Sequence, residues 1–253
     1  MYAEERHRLI VEQARRQGRV EVATLADELA VTAETIRRDL TTLERHGLLR
    51  RVHGGAIPAE RLGFEPGLAT RDAVRTSEKE RIAKAALAEL PAEGSIILDA
   101  GTTTARLAAV LPADRELTVV TNSLPIAMSL SGRPQLTLLV VGGHVRGRTL
   151  AAVDAWAVAA LRETYVDVAF IGANGISVER GLTTPDQREA TGKAAMIAAA
   201  RRTVVVADHS KVGNDCFARF GELADVDTIV TDDGLDPLLA DELEGAGPRV
   251  VRA

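Results

Sequence analysis

The chain has 253 residues, 46% hydrophobic and 26% charged, which supplies a packed core, is long enough for two domains and excludes a disordered chain. Aromatic residues are only 3% of the total, which leaves the core to Ala, Leu, Ile and Val and argues against single-strand recognition on stacked aromatic platforms. A net charge of −5 rules out a uniformly basic protein, so any nucleic-acid surface has to be local.

Leu9, Ile10, Gln13 and Ala14 trace an amphipathic first helix, stopped at Gly18, where a left-handed C-cap is sterically free. Beyond Val20-Glu21-Val22, the stretch from Ala23 to Leu29 puts Leu25, Ala26 and Leu29 on one helical face. Ala30-Val31-Thr32 is a tight turn, and Thr32 is placed to cap a third helix that begins near Ala33. On that helix Ile36, Leu40 and Leu43 face inward, while Glu34, Arg38, Thr41 and Arg45 point outward with Thr35 and Arg37 beside them. Two short helices joined by a three-residue turn, the second bearing arginines near its start, match a helix-turn-helix whose second helix reads the major groove. Leu48 to Val52 reads as a strand carrying Arg50 and Arg51, and His53-Gly54-Gly55 as the tip of a wing approaching phosphate. From Thr32 to His53, arginines 37, 38, 45, 50 and 51 stand against Glu34, Asp39 and Glu44, so the module is mildly basic inside an acidic chain. A three-helix interaction domain with a solvated arginine face is the plainer alternative, and the coincidence of spacing, turn and wing favours DNA.

Pro58 to Thr76 contains Gly63, Pro66 and Gly67 without sustained periodicity and reads as a connection, dividing the chain into a winged helix-turn-helix over 1–57, a linker over 58–76 and a second domain over 77–253. Ser77 and Glu80 have the spacing of a capping box ahead of Ile82, Ala83, Ala86, Leu87 and Leu90. Apolar runs then alternate with helical patterns: Ser95–Leu98, Leu117–Thr121, Leu136–Val141, Val166–Ile171, Thr203–Ala207 and Thr228–Val230. Alternation of this kind implies an α/β fold with a mainly parallel sheet, whose ligands sit at the carboxyl ends of the strands.

The residues after these runs are polar or glycine-rich: Asp99-Ala-Gly-Thr-Thr103, Asn122-Ser123, Gly142-Gly143, Gly172-Ala-Asn-Gly175 and Asp208-His-Ser-Lys211. Asp99 can accept a sugar hydroxyl, Gly101 admits close backbone approach, and Thr102, Thr103 and the amides of the next helix can hold an anion. Lys211 brings a point charge suited to phosphate. A helix opened by a capping box at Thr184-Pro185-Asp186-Gln187 carries Glu189 and Lys193 one turn apart, either as an exposed i,i+4 pair or as ligand groups.

Thr35-Ile-Arg-Arg-Asp-Leu40 and Arg51-Val-His-Gly-Gly55 resemble the deoxyribose-operon-repressor (DeoR) family, and the five strand-end segments stand where its sensor motifs fall. The resemblance covers nearly the whole chain. It implies a cytoplasmic repressor of sugar metabolism whose helix-turn-helix binds double-stranded operator DNA and whose sensor, similar to the ribose-5-phosphate isomerase fold, binds a small phosphorylated sugar. Asp154 departs from the pattern, because relatives usually carry glycine there and a carboxylate would repel phosphate.

The rival is a phosphosugar isomerase-like enzyme using Asp99, Glu189, Lys193 and Lys211 for proton transfer. No nucleophile elbow or Walker loop is present, and His7, His46, His53, His144 and His209 are scattered, so neither catalysis nor a metal is expected. Gly172-Ala-Asn-Gly175 lacks the third glycine of a dinucleotide fingerprint, and no cofactor is implied. A DNA-binding activator with a non-phosphorylated ligand is the other alternative. Cys216, the single cysteine, excludes an internal disulfide, suits a reducing compartment and reads as a buried structural thiol. The charged first residues and the lack of an apolar run of about 18 residues give no membrane partner. Because one small module reads few base pairs, a homo-oligomer spanning repeated half-sites is expected.

Overall fold

The computed structural model describes residues 2–17, 20–52, 54–58 and 65–253, which fall into two units, Met1–Val74 and Arg75–Ala253. The first contains α1 (Ala3–Gln17), β1 (Val20–Glu21), α2 (Val22–Glu28), α3 (Ala33–Arg45), β2 (Leu49–Val52), β3 (Gly55–Pro58) and α4 (Leu68–Asp72). The inward spacing read on the helices becomes one core in which Ile10, Ala14, Leu25, Ile36, Leu40, Leu43 and Leu49 are all buried. Ala26 and Leu29 pack only at its margin. The three strands pair antiparallel in the order β1-β3-β2 and form the wing.

Several details of this unit differ from the sequence reading. Gly55 is the first residue of β3 rather than part of the wing tip, because it lies against β1: a Cβ there would fall 2.0 Å from the Val20 carbonyl oxygen. Gly54 takes the left-handed turn conformation, with φ +77°. Pro58 ends β3 opposite Leu49, and residues 68–72, expected in a structureless connection, are helical. Gly18, His53 and Gly63 lie outside the described residues.

The second unit runs α5 (Thr76–Ala86), β4 (Gly94–Leu98), α6 (Thr102–Val110), β5 (Leu117–Thr121), α7 (Leu124–Leu130), β6 (Leu136–Val140), β7 (His144–Arg146), β8 (Ala151–Val153), α8 (Asp154–Arg162), β9 (Val166–Ile171), β10 (Gly175–Ser177), β11 (Gly181–Thr184), α9 (Gln187–Ala198), β12 (Ala200–Val206), β13 (Ala218–Gly221), β14 (Thr228–Thr231), α10 (Pro237–Gly245) and β15 (Arg249–Arg252). Seven strands form one parallel sheet in the order β15-β14-β12-β9-β4-β5-β6. Strand alternation splits the core in two. Ile96 and Leu98 of β4 pack with Ile82, Leu107, Ile126 and Phe170 on one face, and Ile97 packs with Leu161, Ala190, Met196 and Leu243 on the other. Helices α5 to α7 therefore cover one face and α8 to α10 the opposite one, as a parallel sheet buried on both sides requires.

The edge strand β15, the β7–β8 hairpin and a small antiparallel sheet of β10, β11 and β13 were not read from the sequence. Each strand of these is only three or four residues long, too short for a periodicity to emerge. The expected capping box at Ser77 does not form. Helix α5 already starts at Thr76, entered from Arg75 in a left-handed conformation, and Ser77 Oγ donates to Glu78 over 2.9 Å instead.

Candidate functional site

The first candidate surface is built on α3. Thr32 Oγ accepts from the Thr35 amide over 3.1 Å and so fixes the start of the helix. Glu34, Arg37 and Arg38 are exposed, Thr35 and Thr41 are half-buried, and Arg37 reaches back to Glu34 over 3.3 Å. On β2, Arg50 and Arg51 are both exposed, and the Arg51 guanidinium donates to Thr41 Oγ over 3.1 Å, which ties the wing strand to the helix.

Asp39 is the residue that the sequence reading missed: counted among the surface charges, it is buried, and its carboxylate accepts from Arg6 Nε at 2.5 Å and meets His7 Nε2 at 2.9 Å. Burial pushes its pKa up, but the bonds and charges of Arg6 and His7 together outweigh that and hold the carboxyl below its ordinary value. Its position three residues after Ile36 and four before Leu43, on the inward stripe, was the available signal. With Asp39 neutralised by α1, the outward face is more basic than the residue count implied.

The second cluster lies at the carboxyl ends of β6, β5, β4, β9 and β12, which are neighbours in that order in the sheet. The crossovers diverge between β4 and β9, since β4 leads to β5 on one side and β9 to β12 on the other, and crevices of this kind hold ligands in open α/β sheets. Asp99, after β4, spans the crevice. Its Oδ2 accepts from the Gly172 amide over 2.9 Å and from Lys193 Nζ, which also donates to the Gly172 carbonyl over 2.8 Å. Burial pushes the Asp99 carboxyl up, with the Lys193 ammonium and the Gly172 amide pulling against it. Asn122, after β5, accepts from the Ala100 amide over 3.1 Å and donates to the Ala152 carbonyl over 3.1 Å, locking the loop that carries Gly101, Thr102 and Thr103. Helix α6 opens at Thr102 with no side chain capping it, so its first amides face the crevice end of the helix.

Glu189 and Lys193 are not an exposed pair. Both are buried on α9, Lys193 going to Asp99 while Glu189 receives Arg146 over 2.6 Å and Thr149 Oγ over 2.5 Å from the β7–β8 hairpin. Arg146 also meets Asp186 over 3.1 Å. The helix is capped by Asp186, which accepts from the Arg188 and Glu189 amides, and not from Thr184, which stays in β11 and bonds Asn174 over 3.0 Å. The hairpin's part in holding Glu189 was not legible, since Arg146 and Thr149 lie 43 and 40 residues before it.

Gly143, with φ +149°, is required where it stands, because a Cβ would fall 2.5 Å from the Val153 carbonyl, whereas Gly142 faces open space. Asp208 is buried, caps the turn 209–211 through the Ser210 amide at 3.2 Å, and pairs with Arg75 at 3.5 Å. Lys211 follows in that turn, half-buried; among the described residues no hydrogen bond or ion pair joins it to the Asp99–Lys193 group. Asp154 adopts φ +75°, so a glycine is the unstrained residue at that position for reasons of backbone alone. Cys216 is half-buried rather than buried, its amide drawn to Thr183 Oγ at the rim of the small sheet.

A winged helix-turn-helix joined to a parallel α/β unit with a polar crevice at its strand ends defines a DNA-binding regulator with a sensor domain. The profile described as DeoR-like helix-turn-helix domain matches residues 6–61, and that described as DeoR C terminal sensor domain matches residues 74–233. The HTH-type transcriptional regulator GlpR of Haloferax volcanii is 40% identical over 99% of this chain and 98% of its own. YulB of Bacillus subtilis, named as an uncharacterized HTH-type transcriptional regulator, is 36% identical over 96% and 94%, and the glycerol-3-phosphate regulon repressor of Escherichia coli is 31% identical over 90% of each chain. The chain belongs to the DeoR family of transcriptional regulators. Its relatives are named as regulators, and it is a regulator rather than an isomerase. Ribose 5-phosphate isomerase A of Methanocaldococcus jannaschii is similar at a TM-score of 0.39, with 21% identity over 53% of each chain, a likeness too distant to carry an argument. Among the described residues no helix is long and apolar enough to cross a membrane.

Proposed function

We propose that the protein is a cytoplasmic repressor of a sugar-uptake or sugar-catabolism operon, bound as a homo-oligomer to double-stranded operator DNA and released by a small phosphorylated sugar. The observation that carries the reading is the crevice between β4 and β9, where the buried Asp99–Lys193 pair follows β4 on the same loop that leads into the uncapped amino end of α6. Hydroxyl acceptors next to an anion site suit a polyhydroxy compound bearing one phosphate. In this reading Thr32, Thr35, Arg37, Arg38 and Thr41 face the major groove, and Arg50, Arg51, His53 and Gly54 follow the phosphates. Gly101, Thr102, Thr103 and Lys211 hold the phosphate, and Asn122, Gly142, Gly143, Gly172, Lys193 and Asp208 shape the remainder. The naming of relatives as a glycerol-3-phosphate regulon repressor and a putative aga operon transcriptional repressor supports the sign of regulation.

The test is binding of the full-length protein to the DNA upstream of its own gene at fixed salt, titrated with a panel of phosphorylated sugars and their unphosphorylated parents. Release by one phosphorylated sugar and not by its parent is the expected result. Specific binding unchanged across the panel would overturn the effector class, and no specific binding would overturn the operator reading.

A further inference from the structure

We infer that Arg75 is a positioning residue for the effector-binding turn 208–211, acting through the carboxylate of Asp208. The inference rests on the effector site proposed above and assigns a role to a residue outside it.

Three observations meet at Arg75. It is the first residue of the second unit and the residue from which α5 is entered. Its backbone is held at φ +55°, ψ 45°, a left-handed conformation that is unfavourable for a non-glycine residue and persists only where other contacts compensate for it. Its guanidinium reaches a distant carboxylate and a near one: Arg75 Nε lies 3.5 Å from Asp208 Oδ1, and Arg75 Nη1 lies 3.9 Å from Glu78. The Asp208 side chain is 3% exposed and that of Arg75 34%, so the pair is partly buried and screened less than a surface pair.

Asp208 is also the cap of the turn that carries Lys211. The same Oδ1 accepts from the Ser210 amide and hydroxyl, and the Asp208 carbonyl accepts from the Lys211 amide over 3.0 Å. One carboxylate oxygen thus answers to both the turn and Arg75. An anion drawn to Lys211 repels the Asp208 carboxylate and competes for the Ser210 donors, so the pairing of Asp208 with Arg75 helps to fix where that carboxylate stands. Meanwhile the Arg75 carbonyl accepts the Lys79 amide over 3.1 Å, the opening bond of α5. A change at Arg75 is therefore also a change in how α5 begins.

The test uses the full chain in three variants: Arg75→Gly, which accepts the left-handed backbone and removes the guanidinium; Arg75→Lys, which keeps the charge; and Asp208→Asn. Arg75→Gly is expected to bind DNA within about twofold of the parent in the absence of sugar phosphate, and to need about tenfold more sugar phosphate for release, with Arg75→Lys recovering most of the loss. An unchanged release concentration in Arg75→Gly overturns the inference. If no phosphorylated sugar releases the parent protein, the effector reading has failed, and the positioning role is judged on the ligand-free chain by hydrogen exchange. Arg75→Gly and Asp208→Asn must then each accelerate exchange of the Ser210 and Lys211 amides, and Arg75→Lys must not. Exchange that stays at the parent rate in Arg75→Gly also overturns it.

Discussion

Asp39 and Arg38 are neighbours on one helix with opposite tasks, and substitution separates them. Asp39→Asn leaves Arg6 buried without its carboxylate and should lower the stability of the first unit by about 3 kcal/mol, measured by urea denaturation. Because the folded pKa of Asp39 is depressed below the ordinary 3.8, its contribution is fully present above that pH and is lost as pH falls through the folded value. The parent should therefore lose stability more steeply than Asp39→Asn below about pH 4, and parallel acid profiles would refute the assignment. Arg38→Ala should instead leave stability unchanged and cost about 1–3 kcal/mol on operator DNA alone. Arg51→Ala should weaken operator and random DNA alike and reduce the salt slope by about one. Equal losses by both arginine variants on both DNAs would show that these roles are misassigned.

At the scale of elements, two glycines that look alike in sequence differ in what they hold. Gly55→Ala drives a methyl into the Val20 carbonyl and should separate β1 from β3, at a cost of about 2 kcal/mol or more. Gly54→Ala meets no atom within 4 Å and carries only the left-handed penalty, about 1 kcal/mol. Thermal melts of the two variants check the order, and a larger loss at Gly54 would contradict the wing geometry. In the sensor, the β7–β8 hairpin joins Arg146 and Thr149 to Glu189 and is pinned at its ends by Gly143 and Asp154. Asp154→Gly relieves a left-handed residue and should be neutral or stabilising by up to about 1 kcal/mol, whereas Gly143→Ala should destabilise by about 2 kcal/mol or more. A stabilised Gly143→Ala protein would refute the clash with Val153.

For the whole molecule, the two units allow the proposed operator DNA and the proposed sugar phosphate to be tested separately. A sugar phosphate at a hundred times its Kd should stabilise the second unit by about 2.7 kcal/mol while leaving the melting of the first where it was. Calorimetry of the full chain reads both transitions, and an equal shift of the two would mean that the ligand does not act through the sensor alone.

The sequence by itself determined the elements whose signals are local. Thr32 as a cap, Ile36, Leu40 and Leu43 as one buried face, six strands of the parallel sheet, and the polar segments after them all follow from spacing within a few residues, and those patterns survive any arrangement of neighbours. That these polar segments lie along one edge of the sheet was legible to the same extent, because the carboxyl ends of parallel strands share that edge. Tertiary structure alone decided the partners. Lys193 turns from Glu189, four residues away, to Asp99, 94 residues away; Asp39 leaves the surface for Arg6; Asp208 pairs with Arg75. In each case a charged or polar group is buried. Its partner is chosen by the cost of leaving it unpaired in a low dielectric, a cost that depends on which distant segments the fold brings together and that no local spacing records.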